Sequence, residues 1–208
     1  GMLLPIFSRM LKYKESVESL VKLISTLLIA FALVVGISCF FYSEEFMDLI
    51  YKEHIKESAK IFGLIMLSFI AVSTTYIFGT LLTANGNLKQ LNIMAAFGMV
   101  VNISLNFILI PELHAYGSAI SSLITQFSAA IIQVIIAQRI FKFKVNYRLI
   151  NTFIMFTIGV ISINYAAIIV LPFHWMINFA LMTIACGAWA FVSGMISPKG
   201  IFRLLKYG

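Results

Sequence analysis

The sequence predicts an all-α, polytopic membrane protein: a helical bundle of about six transmembrane helices with both ends in the cytoplasm. Three observations carry this expectation. The chain is 61% hydrophobic and only 11% charged, against about 25% charged residues in an ordinary soluble domain. Its apolar runs reach the length of a membrane span without alternating polarity, as in VKLISTLLIAFALVVGISCFFY. Its lysines and arginines fall almost entirely on one side of those runs. Hydrocarbon admits only helices and closed barrels, because every backbone N–H and C=O must be bonded within the protein. A barrel would show segments of about ten residues alternating apolar and polar, which this chain lacks.

Spans are expected at 21–42, 61–83, 89–110, 116–138, 149–171 and 175–197. Residues 1–20 read as the cytoplasmic end of a truncated helix plus a basic linker, because GMLLPIFSRM starts with a short apolar run ended by Pro5. Residues 21–208 form the six-span region. Between the first two spans, SEEFMDLIYKEHIKESAK interleaves Phe46, Met47, Ile50 and Ile55 with charge at near-helical spacing, and reads as a surface-lying amphipathic helix. Asn85 and Gly86 mark a tight turn between the second and third spans, since both residue types tolerate positive φ. Pro111 is expected to stop the third span, Gly117 opens a small-residue run in the fourth, and Pro172 separates the last two.

Basic residues close to span ends are retained in the cytoplasm. Twelve of the fifteen lie on one side: Arg9, Lys12, Lys14, Lys22, Lys89, Arg139, Lys142, Lys144, Arg148, Lys199, Arg203 and Lys206. The other side holds Lys52, Lys56 and Lys60, with six of the eight acids. This segregation requires an even number of spans and puts both termini inside. It also explains the net charge of +7 without nucleic acid, because the cations form short patches between apolar runs and not one basic face.

No Asp, Glu, Lys, Arg or His sits near the middle of any expected span, so the carboxylate and lysine sites that mark proton relays and ion paths in membranes are not expected. His54, His114 and His174 map to outer connections and read as interfacial residues at helix ends. Cys39 and Cys186 fall inside spans and read as small buried apolar side chains. No cofactor, metal site or enzyme signature is expected. What remains is uncharged polarity. Asn102 and Asn106 share one face of the third span; Ser118, Ser122 and Gln126 repeat at the same spacing in the fourth, beside a small-residue stripe of Gly117, Ser121, Thr125 and Ala129. One reading is helix packing, in which small residues permit close approach and polar ones bond across the interface for about 0.6–2 kcal/mol each. The other is a hydrated path for a polar headgroup, with Thr74, Thr75, Thr80 and Gln133 as further lining.

The stretch from Leu81 to Gln126 resembles the polysaccharide (Wzx-type) flippases of the MOP superfamily. The resemblance rests on the turn from Asn85 to Lys89, on Asn102, Asn106, Ile110 and Pro111, and on the helix start at Gly117, Ser118 and Ala119. Pro5, Ser8 and Arg9 resemble that family's motif at the cytoplasmic end of its eighth helix, which would make the six spans helices nine to fourteen of a fourteen-helix transporter. The resemblance implies the C-terminal portion of a multi-pass protein of the bacterial inner membrane. Such a protein would flip an undecaprenyl-diphosphate-linked oligosaccharide for surface polysaccharide biosynthesis by alternating access. Its partners would be the lipid-linked oligosaccharide, membrane lipid and a missing N-terminal lobe, which would carry the basic residues for the diphosphate. A cation-coupled multidrug exporter of the same superfamily and a non-transporting membrane scaffold are the alternatives.

Overall fold

A computed structural model describes residues 2–144 and 146–196. Lys199, Arg203 and Lys206, and the last residue of the sixth expected span, lie outside the described residues. The described residues form seven helices: α1 (Leu3–Lys12), α2 (Glu18–Phe41), α3 (Ser43–Asp48), α4 (Ile55–Ala84), α5 (Leu88–Phe141), α6 (Tyr147–Val170) and α7 (Trp175–Val192). Five of them are long and apolar enough to cross a membrane. The 54 residues of α5 would measure about 81 Å if straight, against a hydrocarbon core of about 30 Å. The helix is instead broken at His114, whose backbone (φ 52°, ψ −132°) is not helical.

The two arms of α5, 88–113 and 115–141, fold back on each other. A Cβ on Gly117 would stand 2.5 Å from the Leu109 carbonyl oxygen, so only glycine lets the arms meet this closely beside the break. Asn102 and Thr125 bond across the arms farther down. The break therefore turns five long helices into six crossings, which makes the molecule a polytopic helical membrane bundle. Pro111 itself stays inside the helix. Its missing N–H and ring weaken the last turn before it without ending it, and the chain reverses three residues later.

Other connections follow from their chemistry. α4 ends in a hydrogen-bonded reversal in which Asn87 N–H donates to the Leu82 carbonyl (2.9 Å) and Gly86 N–H to that of Thr83 (3.0 Å). This is the Schellman pattern, and it forms at the turn expected from Asn85 and Gly86. α1 closes the same way: Glu15 N–H donates to the Met10 carbonyl and Lys14 N–H to that of Leu11, with Lys14 at φ 55°. Between α6 and α7, the Asn178 amide donates to the carbonyls of Leu171 (3.2 Å) and Phe173 (3.0 Å), clamping the turn around Pro172.

The connection between α2 and α4 differs from the single amphipathic helix expected there. Only α3 is a separate helix; residues 51–54 are not helical, His54 is left-handed (φ 56°), and residues 55–60 belong to α4. The apolar pair at 46–47 explains the departure. Met47 is buried, and the Phe46 ring meets those of Phe62, Trp175 and Phe179 at centroid distances of 5.1–5.8 Å. α3 is thus pulled onto the bundle between α4 and α7, and the chain must turn sharply to begin the next crossing.

The core has two centres. At the end carrying the basic residues, Phe7 and Met10 of α1 pack with Leu20, Val21 and Ile24 of α2, Ile77, Leu81 and Leu82 of α4, and Ala137 of α5. At the opposite end, Ala30, Leu33, Val34 and Ile37 of α2 pack with Phe156 and Val160 of α6 and Met182 and Cys186 of α7. α6 therefore touches α2 closely in the outer half and stands away from it in the basic half.

Replacing Gly117 by valine should lower stability by about 1–3 kcal/mol, the cost of forcing atoms into a packed site. Thermal unfolding in detergent should show a lower Tm for Gly117→Val. Gly187→Ala, where an added Cβ meets nothing within 4 Å, should leave Tm unchanged or slightly raised.

Candidate functional site: a polar hairpin seam and a basic cleft

The uncharged polar residues separate into groups once the helices pack. Asn106 donates from Nδ2 to Asn102 Oδ1 (2.9 Å), Asn102 Nδ2 donates to Thr125 Oγ1 (3.3 Å), and Thr125 donates to the Ser121 carbonyl (2.8 Å). Ser121 in turn donates to the Gly117 carbonyl (3.0 Å). The asparagine face of the first arm thus meets the small-residue stripe of the second. It does not meet Ser118, Ser122 and Gln126, which lie about 100° round the helix. Asn102 and Asn106 are half-buried parts of this seam.

Ser118 is half-buried, while Ser122 and Gln126 are exposed. Gln126 is about 12 residues into an arm of 27, close to mid-membrane. A primary amide there without a hydrogen-bonding partner would cost roughly 2–7 kcal/mol in hydrocarbon. Thr74, Thr75 and Thr80 satisfy themselves by donating to the carbonyls of Ile70, Val72 and Tyr76 on their own helix. Gln133 is buried against α4, with its Oε1 facing Gly79 and unpartnered. It belongs to the α4–α5 interface.

A second feature was not singled out by the sequence. Where α6 stands away from α2, a cleft of about 910 Å³ opens between α2, α4, the second arm of α5 and α6. Along α2 its lining runs from Glu18 to Ile29, a rise of roughly 16 Å, so it reaches from the basic end to about mid-helix. Its mouth carries Lys22, Arg139 and Lys144 against one acid, Glu18. Farther in, Ser25 and Thr74 are the polar groups among Ile29, Phe78, Ile135 and Phe153. Ser25 is 8% exposed and its Oγ has no partner. The Gln138 amide donates to the Phe143 carbonyl, which holds the 142–144 segment, and with it Lys144, at the mouth. Asn146 caps α6 by accepting from Leu149 N–H (3.1 Å), so the positive end of that helix dipole also faces the opening.

The three cations are far apart in sequence and were legible only as topology signals. The one local clue was the spacing of Lys22, Ser25 and Ile29 on a single face of α2. The three histidines take structural positions: His54 precedes α4 in a left-handed conformation, His114 forms the break in α5, and His174 accepts from Met176 N–H at the start of α7. Cys39 and Cys186 are both buried and free.

The described residues thus define a multi-pass helical membrane bundle with uncharged polar seams and a cleft that is basic at its mouth. More particularly, the model of the family described as lipid II flippase MurJ matches residues 1–188. The chain belongs to that family, and is a lipid-linked precursor flippase of the MOP superfamily. Searches of curated proteins and of solved structures returned no match.

The seam makes a quantitative prediction. In a double-mutant cycle of Asn102→Ala and Thr125→Val, unfolding in detergent should reveal a coupling of about 0.6 kcal/mol, the average for hydrogen bonds between membrane helices. Additive effects would mean that the two side chains do not bond.

Proposed function

We propose that this protein moves an undecaprenyl-diphosphate-linked saccharide of the lipid II class across the bacterial inner membrane. It acts by alternating access and leaves the substrate chemically unchanged. The family match over residues 1–188 carries this reading. The physical task is to shield a sugar and a diphosphate that hydrocarbon rejects, while the polyprenyl tail stays in or beside the bilayer.

The polar face of the second arm of α5 supports an assignment of roles. Ser118, Ser122 and Gln126 would line the path, because an exposed glutamine near mid-membrane needs water, a polar ligand or another helix against it. Asn102 and Asn106 hold the α5 arms together behind that face. Alternating access also needs a second group of helices facing this one, so that the two rock about the path. Diphosphate-binding cations of the path are assigned to that second lobe.

A second substrate reading places a surface-polysaccharide oligosaccharide on the same carrier. The resemblance of Leu81–Gln126 to the polysaccharide flippases favours it. The two readings share the undecaprenyl-diphosphate anchor and differ in the head.

Proteoliposomes made with the polypeptide as its cells produce it separate these outcomes. Fluorescent lipid II should cross faster than in protein-free vesicles, and faster than a carrier bearing an oligosaccharide without peptide. Ser122→Leu combined with Gln126→Leu should slow crossing by about tenfold or more, equivalent to about 1.4 kcal/mol of barrier, with Tm unchanged. Crossing by folded protein at the protein-free rate for both lipids would refute the transport reading. Faster crossing of the oligosaccharide would shift the substrate to the second reading.

A further inference from the structure

The cleft at the basic end is unused by the path described above, which runs along a different face and a different depth of the second arm. Its chemistry is that of a site for an amphiphile. The mouth presents Lys22, Arg139 and Lys144 against Glu18 alone, at the membrane surface where basic residues attract anionic headgroups. The inner wall is apolar and extends to about mid-helix, the depth that a lipid chain occupies within one leaflet. Between mouth and wall, Ser25 Oγ is buried, lines the cleft and lacks a partner. Of the two buried hydroxyls without a partner among the described residues, Ser25 and Tyr42, only Ser25 lines this cleft. A buried hydroxyl is rarely left unpaired, so the free Ser25 donor is placed to meet an acceptor on a ligand in the cleft.

We propose that this cleft binds an anionic phospholipid of the cytoplasmic leaflet. The phosphate lies between Lys22, Arg139 and Lys144, a headgroup or ester oxygen accepts from Ser25, and one chain follows Ile135, Ile150 and Phe153 inward. The occupant is a lipid and not free phosphate because apolar wall makes up most of the cleft, and inorganic anions would leave it empty. The site stands independently of which saccharide the protein carries. Its consequence is structural: α6 contacts α2 closely only in the outer half, so a lipid in the cleft fills the gap beneath α6 and supports the α6–α7 pair against the rest of the bundle.

The test is lipid retention on the intact protein in nanodiscs, read by native mass spectrometry. Dioleoyl-phosphatidylglycerol should be retained over dioleoyl-phosphatidylcholine. The preference should fall about fivefold for each cation removed among Lys22→Gln, Arg139→Gln and Lys144→Gln. Ile150→Trp, which fills the cleft and leaves its charges in place, should also reduce phosphatidylglycerol retention, with circular dichroism confirming unchanged helix content. Equal retention of the two lipids, a preference that survives the triple substitution, or retention unaffected by Ile150→Trp would each overturn the proposal. Displacement of nothing but inorganic diphosphate from the cleft, with no lipid retained, would overturn it as well.

Discussion

The bilayer leaves no polar group to be rescued by water, and the structure is organised by that constraint. It forces the backbone into helices, whose internal hydrogen bonds need no solvent. It also sorts the side chains. Threonines 74, 75 and 80 return their hydroxyls to their own helix. Asn102 bonds Asn106 and, across the α5 hairpin, Thr125, while Asn106 Oδ1 is left without a partner. The Asn178 amide nitrogen donates to the turn it clamps, while its Oδ1 is left without a partner. Among the described residues, Ser25 Oγ, Tyr42 Oη, Gln133 Oε1, Asn164 Oδ1 and Trp189 Nε1 are also buried without a partner. Ser25 is the one that lines the basic cleft, and the exposed Ser122 and Gln126 share one face of α5.

The two packing centres give the molecule unequal halves. At the basic end α1, α2, α4 and α5 pack together, and at the far end α2 packs with α6 and α7. α2 takes part in both centres and joins them. Membrane helices gain little from hydrophobic burial against one another, because lipid is as apolar as leucine. Close contacts such as Gly117 against the Leu109 carbonyl and bonds such as Asn102 to Thr125 therefore carry much of the specificity. A helix pair attached over half its length leaves a gap, and the cleft is that gap.

Much of this was legible in the sequence, because the signals were local. Apolar run length marked the crossings, the Asn85–Gly86 pair marked the α4–α5 turn, and the spacing of Asn102 and Asn106 marked one helical face. The rest depended on tertiary placement. The asparagine face meets Ser121 and Thr125 instead of Ser122 and Gln126, a rotation of one residue that spacing within a single helix does not determine. The α5 break falls at His114 because its φ/ψ, and not the ring of Pro111, interrupts the helix. α3 stops after six residues because Phe46 is drawn into an aromatic cluster built from α4 and α7, and Met47 beside it is buried. The cleft gathers Lys22, Arg139 and Lys144 from three segments, and no linear pattern connects them.

The central claim is that the unsatisfied polar face of the second α5 arm borders an aqueous path and not lipid. Cysteine accessibility in native membranes tests it directly. With Cys39 and Cys186 replaced by alanine, single cysteines at positions 118, 122 and 126 should react with a hydrophilic, membrane-impermeant maleimide. A cysteine at position 103, replacing the exposed Ile103 on the first arm, should not. Reaction at the three polar positions with protection at 103 is the predicted pattern. Protection at all four positions, in protein that remains folded, would place that face in hydrocarbon or a sealed interface and contradict the account.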